Sequence, residues 1–297
     1  MREITSCDLC GGSRFAPLYQ KTIPRCEPWS GFVSSKFPFD LRGEFCLGCG
    51  WIFKNPAYEE DELERMYHFA EAEISPEAKQ MATLNAERRG TEVLSMLAAW
   101  LDRTPGSVLD VGGRNGELMG AFIRRGYQVN VLDMEAGEPV FPSIRKIRLP
   151  FLRWDGGRYD LITMLHVLEH TSTPSRFLCH AHSLLKEQGL LYVEVPSELL
   201  TPLLFRRVGD YRHIGYFSRQ TLRRYIEGAG FECLSCRLCL GFVGSRLPVV
   251  RAIGRKVTAA RAEKSLHMGS RGKVIGTVAE AFHPMPVLVR LMNRLGF

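Results

Sequence analysis

Cys7-Asp8-Leu9-Cys10 and Cys46-Leu47-Gly48-Cys49 are two C-x-x-C pairs separated by 35 residues. Each has glycine beside or within it, Gly11-Gly12 and Gly48 with Gly50, the composition of a knuckle that turns backbone toward a bound metal. Two knuckles supply four thiolates, and four thiolates suit tetrahedral Zn(II). Because no coordination position stays open, the expected role is structural. A redox pair, or a coincidence of small-residue turns, is the alternative. Cys26 and Cys179 are not needed for the set. Cys233, Cys236 and Cys239 are also spaced like ligands, but a strand there sets Cys233 and Cys239 on one face and Cys236 on the other. They are expected to be small apolar core positions.

A second concentration of chemistry lies at 107–135. The short apolar run Val108-Leu109 closes on Asp110, and Gly112-Gly113-Arg114-Asn115-Gly116 makes a tight turn. A helical pattern then runs to Arg125, and the apolar run 129–132 ends on Asp133. Strand, glycine turn, helix and strand with a terminal acid form a nucleotide-type βαβ half. The glycines let backbone N–H groups approach a ligand at the helix N-terminus. Asp133, 23 positions after Asp110, stands where a carboxylate accepts both hydroxyls of a ribose. A diphosphate binder favours G-x-G-x-x-G, whereas this turn reads D-x-G-G-x-x-G. A carboxylate at Asp110 suits the amino group of a cationic ligand better than a diphosphate. A Rossmann-like half with another ligand, or with none, is the alternative.

The apolar run 159–164 reads as a buried strand and leads into Leu165-His166-Val167-Leu168-Glu169-His170. Residues just past the carboxyl end of such a strand face the ligand crevice. That makes His166 a candidate ligand contact and Glu169 with His170 a candidate pocket wall; each can equally tie a loop to the next helix. A metal reading of these three lacks a completing ligand within the segment. A helix is expected over 174–185, its stop at 186–189, and a strand over 190–195 ending at Pro196. The loop 197–218 then carries Tyr211-Arg212-His213-Ile214-Gly215-Tyr216-Phe217-Ser218, ahead of a helix over 219–229 closed by Gly230. A neutral His213 can take a proton near pH 7. Arg212 has the planar fork that binds phosphate or carboxylate. The bland reading of His213 is a structural residue on the N-cap side of the helix.

In this order, the glycine turn, the "V-L-E-H" stretch after a buried strand and the helix-turn-strand "LLKEQGLLYVEVPS" resemble the class I S-adenosylmethionine (SAM)-dependent methyltransferases. Arg114 departs from the family's usual D/E-x-G-x-G-x-G turn. The resemblance implies an α/β fold, a Rossmann-like sheet with helices on both faces, with a small N-terminal zinc-ribbon-like module added. It also implies that Asp110, Gly112, Gly113, Asn115, Gly116, Asp133 and Met134 hold SAM, with Leu149 on the adenine side and His166 on the methionine or ribose side. The acid often found after the third strand is missing. Over about residues 5–235, the cysteine module and the "H-x-x-Y-F-S" loop resemble the zinc-bearing sugar C-methyltransferases. That likeness implies Cys7, Cys10, Cys46 and Cys49 as Zn(II) ligands, His213 and Tyr216 as catalytic residues, and a sugar or nucleotide-linked glycan precursor as acceptor. Where that group has a Glu-His pair, this chain has Arg212-His213, so the methylated atom is left open as oxygen or carbon.

The 297 residues, 45% hydrophobic and 24% charged, suit a globular protein of one large and one smaller unit. The divisions expected are a zinc module at 1–57, a helical cap at 58–105, the SAM-binding core at 106–240 and a basic helical extension at 241–297. Helices are expected over 58–67 and 76–101, with Tyr67 and His68 able to reach the site or simply to pack. A third strand is expected over 144–149. The start lacks the apolar core of a signal peptide and no run of about 18 apolar residues occurs, so a cytoplasmic location is expected. From 241 onward ten Lys or Arg face Glu263 and Glu280, which accounts for the whole formal excess of +7. Helices over 247–264 and 286–295 would each carry an apolar stripe and a basic face, suited to an anionic membrane surface, to an acidic partner or to packing. RNA is a further possible substrate for a basic chain with a zinc module, although no RNA-binding motif is present. A non-catalytic scaffold that keeps the fold is the reading from a different class.

Overall fold

Short β-branched and aromatic runs, punctuated by glycine turns, make eleven strands among the described residues, which in this computed structural model are 1–25, 37–59, 62, 65, 76–102, 104–135, 137–240 and 248–257. In chain order the elements are β1 (Phe15–Ile23), β2 (Phe39–Cys46), β3 (Ile52–Asn55), α1 (Pro76–Leu97), β4 (Ser107–Val111), α2 (Gly120–Arg124), β5 (Gln128–Leu132), β6 (Arg145–Ile147), β7 (Tyr159–Leu165), α3 (Pro174–Leu184), β8 (Leu185–Pro196), α4 (Leu200–Leu203), β9 (Gly215–Tyr216), α5 (Arg219–Gly228), β10 (Phe231–Leu240) and β11 (Pro248–Lys256). Most of the helix expected over 58–67, with Tyr67 and His68, lies outside the described residues. No helix among the described residues is long and apolar enough to cross a membrane.

Seven strands form one sheet in the order β10-β11-β8-β7-β4-β5-β6, parallel from β8 to β6 and antiparallel at β11 and β10. Side-chain alternation splits the apolar residues between its two faces. Leu109, Ile162, Met164, Leu191 and Val193 share one core with Leu178 and Ala181 of α3 and Leu222, Tyr225 and Ile226 of α5. Val108, Leu161, Leu190 and Tyr192 share another with Val93, Leu94 and Leu97 of α1 and with Met119 and Phe122. This is a Rossmann-like fold, with helices on both faces. α1 lies directly on the segment after the glycine turn: a Cβ on Gly90 would stand 1.9 Å from the Leu118 carbonyl oxygen. Leu84, nearer the start of α1, is exposed.

The C-terminal extension is not helical where it is described. Residues 248–256 form β11, inserted between β8 and β10, rather than part of a helix over 247–264. The run Pro248-Val249-Val250 with Ala252-Ile253 is apolar enough for a strand buried on both faces. Arg251, which reads as a surface charge, is buried beside Glu194 of β8, its Nε donating to Oε2 at 2.8 Å. The sheet thus continues past residue 240. The helix expected over 286–295 lies outside the described residues.

The cysteines of β10 also differ from expectation. A register shift between Cys233 and Ser235 breaks the alternation, and Cys233, Cys236 and Cys239 are half-buried. Cys233 and Cys236 donate to the carbonyls of Ser235 and Arg219. Cys233 and Cys236 pack against the core from this edge strand without being fully buried.

A second, antiparallel sheet has the order β1-β2-β3-β9. Its last strand comes from the loop after β8, with Ile52 opposite Tyr216 and Phe53 opposite Gly215. Lys54 N–H donates to the Ile214 carbonyl at 2.8 Å, and Ile214 N–H donates to the Glu169 carbonyl at 2.6 Å. The N-terminal module is therefore stitched through one loop to the end of β7. Trp51, fully buried, stacks on Phe53 at 4.9 Å and meets Tyr225 of α5 edge-on at 5.6 Å. Removing a side chain of that size costs about 3–5 kcal/mol.

Candidate active site and cysteine cluster

β4 ends beneath the glycine turn. Gly112 and Gly116 adopt φ of +69° and +82°, which only glycine takes without strain, and a Cβ on Gly113 would stand 2.1 Å from Asp110 Oδ2. Asp110 is buried directly under the turn and accepts from Thr163 Oγ1 at 2.6 Å. Burial pushes its carboxyl up to about 7 against the opposing pull of that hydrogen bond. Arg114 also lies in the left-handed region, at φ +52°. Its N–H donates to Asp133 Oδ2 at 2.8 Å and its guanidinium pairs with Glu135 at 2.7 and 3.1 Å. Those bonds offset the roughly 1–2 kcal/mol that a side chain costs there, so the departure from glycine is accommodated.

Asp133 accepts a second backbone N–H, from Glu135 at 2.8 Å, on Oδ1. Each carboxylate oxygen keeps a further lone pair, so two ribose hydroxyls can still be accepted. Asn115 accepts from Lys146 Nζ at 2.7 Å and ties the turn to β6. Met134 is half-buried just beyond Asp133, and Leu149 is exposed after β6.

His166 follows β7 at φ +58°. Its Nδ1 lies 3.1 Å from Glu169 Oε1 and its Nε2 3.3 Å from Glu194 Oε1. Burial alone would lower its pKa; hydrogen bonds to the two carboxylates outweigh that and raise it to about 9. Arg89 of α1 and Arg251 of β11 also pair with Glu194. His166 therefore sits at the mouth of a buried charge network that joins α1, β7, β8 and β11. Glu169 is fully buried; burial pushes its carboxyl up, but the His166 hydrogen bond and nearby histidines hold it below the usual range.

The loop after β8 brings His213 to the same end of the sheet. His170 and His213 meet edge-on at 5.1 Å, and ligand atoms of Glu169, His170 and His213 all lie within 4.8 Å of one another. His213 Nδ1 lies 2.7 Å from Glu198 Oε2. Arg212, the candidate anion binder, is already paired with Asp210 at 2.8 and 3.1 Å. The Tyr216 hydroxyl donates to the Val208 carbonyl at 2.6 Å and the residue is buried in β9. That geometry gives Tyr216 the part of a loop anchor, not of a group facing an acceptor. His213 is clear of the N-cap of α5, which is Ser218 in a capping box with Thr221.

At the far end of β2 the four cysteines converge. Cys7 Sγ lies 3.5 Å from Cys49 Sγ, Cys10 Sγ lies 3.6 Å from Cys46 Sγ, and all four sulfurs fall within 4.8 Å of each other. Sulfurs at tetrahedral corners about 2.3 Å from zinc are about 3.8 Å apart, so the set fits the ion. Gly11 N–H donates to the Cys7 carbonyl and Gly50 N–H to the Cys46 carbonyl, closing the two knuckles. Asp8, inside the first knuckle, accepts from Ser175 N–H and Oγ at 2.9 and 2.7 Å, and Arg224 of α5 donates to the Cys49 carbonyl. Both knuckles are docked on the main sheet's helices.

A protein-family profile described as a methyltransferase domain matches residues 79–236, more than half of the chain. The chain belongs to this family. It is a SAM-dependent methyltransferase domain. Among similar solved structures, the 1,6-didemethyltoxoflavin N1-methyltransferase of Burkholderia thailandensis, holding S-adenosylhomocysteine, shares 18% identity over 64% of this chain and 94% of its own, with a TM-score of 0.46. Magnesium protoporphyrin IX methyltransferase of Synechocystis, with SAM bound, shares 14% over 68% and 100%, with a TM-score of 0.48. The N-methyltransferase NodS of Bradyrhizobium japonicum shares 14% over 59% and 97%, with a TM-score of 0.44. No curated protein matches the chain by sequence.

Two groups of this methyltransferase site escape a reading by motif. Glu198 supplies to His213 the carboxylate that the Arg212 position lacks, from 15 residues upstream. Its signal was a lone acid in the apolar stretch just past β8. Lys54, fully buried in β3, hydrogen-bonds the Asp210 carbonyl under the same loop. Burial lowers its pKa to about 7, against the pull of Asp210 and Glu198. No local pattern marks it, because its contacts come from a pairing between distant segments.

Proposed function

We propose that this methyltransferase methylates a sugar or nucleotide-linked glycan precursor, with SAM across the glycine turn and the acceptor at His213. The observation that carries the reading is the His213–Glu198 pair, 2.7 Å apart, at the end of the sheet that also bears the turn. An ionised carboxylate accepts from Nδ1–H, so the Nε2 lone pair is the proton-accepting atom. When bound, SAM supplies a methyl group already activated on a sulfonium. The chain's part is then alignment and proton removal. Asp133 would hold the ribose hydroxyls, the N–H groups of the turn and Asp110 the methionine end, Met134 and Leu149 the adenine edge, and His166 the ribose or methionine side. His213 Nε2 would take the acceptor's proton as the acceptor atom takes the methyl group from the sulfonium, whose sulfur would keep the C–S electron pair.

Cys7, Cys10, Cys46 and Cys49 would hold Zn(II), which would supply the structural cross-link that fixes the N-terminal module. Through the β3–β9 pairing that module sets the position of His213. The sugar class is supported by the likeness of the cysteine module and the "H-x-x-Y-F-S" loop to the zinc-bearing sugar methyltransferases. Among basic residues assigned to the extension, Arg251 and Lys256 are spent on Glu194, Glu92 and Glu187, which weakens the case for RNA. Incubation with methyl-labelled SAM and a panel of sugar nucleotides tests the reading. Label transfer to a sugar nucleotide supports it; transfer only to RNA, in a salt-sensitive manner, contradicts it.

A further inference from the structure

We propose that Glu169, His170 and His213 bind a divalent first-row metal ion at the acceptor end of the site. The ion would keep an open position for an acceptor hydroxyl. This rests on the methyltransferase reading above and deepens it, because it makes the methylated atom an oxygen.

The three residues come from two segments, the turn after β7 and the loop after β8, joined by the Ile214–Glu169 hydrogen bond. Their ligand atoms lie within 4.8 Å of one another. First-row ions at 2.0–2.2 Å from nitrogen and oxygen have ligands about 3–4 Å apart, so small side-chain rotations close the set.

Both imidazoles are turned as metal-binding imidazoles are. His170 Nδ1 lies 3.1 Å from the Arg212 carbonyl, which can only accept, so this nitrogen carries the proton. His213 Nδ1 is held in the same way by Glu198. Each ring therefore carries its lone pair on Nε2, with the far nitrogen fixed by a carbonyl or a carboxylate. That outer arrangement sets tautomer and orientation in metal sites.

The second observation is independent of the rings. Glu169 is completely buried and accepts from His166 on Oε1, but its Oε2 has no hydrogen-bond partner. A buried carboxylate oxygen without a partner costs about 1–3 kcal/mol or more, and a cation beside it removes that cost. Two imidazole nitrogens and one carboxylate oxygen, with a position left open, make a reactive kind of site and not a structural one. The closed cysteine cluster is of the other kind.

With the ion in place, His213 Nε2 is a ligand, not the base. An acceptor hydroxyl at the open position loses its proton to solvent more readily. Its oxygen then bonds to the methyl carbon as the C–S bond breaks with its electron pair on sulfur. Without the ion, His213 takes the proton directly, as above.

The test is zinc content by elemental analysis after dialysis of the full chain against zinc and then against zinc-free buffer. Wild type, Glu169→Gln and His213→Ala are compared, with circular dichroism confirming that each is folded. The expected result is one zinc ion more per chain in wild type than in either variant. Equal zinc in all three overturns the proposal. Should His213→Ala unfold, the isosteric Glu169→Gln alone decides it. SAM titration of the same samples separates the two layers: equal zinc with intact SAM binding leaves His213 as a direct base, whereas wild type that binds no SAM overturns the methyltransferase reading and the ion's role with it.

Discussion

His213 Nδ1 and Glu198 Oε2 lie 2.7 Å apart, joining the loop that carries the histidine to the start of the segment that follows β8. On the reading proposed above, this carboxylate fixes the tautomer that leaves the Nε2 lone pair to take the acceptor's proton. Glu198→Gln keeps the shape but lets the ring choose the wrong nitrogen. The expected result is a fall in kcat of about 10–100-fold, with SAM affinity within twofold of wild type. Steady-state kinetics beside SAM titration checks it; a loss in SAM affinity of the same size would assign Glu198 to the cofactor.

Lys54 destabilises the fold at neutral pH while tying the loop down. Its pKa in the folded protein, about 7, is below the ordinary lysine value, so the unfolded chain binds more protons between pH 7 and about 10.5. The penalty is full below pH 7 and is relieved as pH rises toward 10.5. Lys54→Met therefore raises thermal stability at pH 7 by about 1–3 kcal/mol, less than the shift alone implies because the Asp210 carbonyl loses its donor. The gap to wild type narrows by pH 10. Calorimetric melting at several pH values reads this, and a gap constant with pH would contradict the buried, lowered lysine.

On the proposed zinc reading, the cysteine cluster bears on His213 at a distance through the β3–β9 pairing. Cys46→Ser, or zinc removal by a strong chelator, frees the second knuckle and Trp51 behind it. A drop in Tm of about 5 °C or more is expected, with activity falling more than SAM affinity. A variant with unchanged Tm and activity would detach the cluster from the site.

Gly113 lies over Asp110, and a Cβ there would stand 2.1 Å from Oδ2. Neither atom can retreat far, because Asp110 is buried against Thr163. Gly113→Ala is expected to weaken SAM binding by tenfold or more, on the order of 1.4 kcal/mol, while global stability falls by a similar amount. Titration and melting of the same variant check both.

Much of this arrangement was legible in the sequence. The glycine turn, Asp133, the strand and the V-L-E-H stretch, and both cysteine knuckles are local patterns, and local patterns survive folding. What was not legible is pairing between distant segments. β11 reads as a basic amphipathic stretch because Arg251 looks exposed until Glu194 is placed beside it. Glu198 and Lys54 acquire meaning only when the loop after β8 is laid against β3. Tyr216 was assigned from a resemblance, whereas its hydroxyl is committed to the Val208 carbonyl.

The measurement that tests the central claim most directly is calorimetric titration of the zinc-loaded protein with SAM, beside Asp133→Ala. The account predicts micromolar binding in wild type and a loss of about 10–100-fold in the variant, the worth of hydrogen bonds to one carboxylate. No binding by wild type, or equal binding by both, would contradict the placement of SAM across the glycine turn.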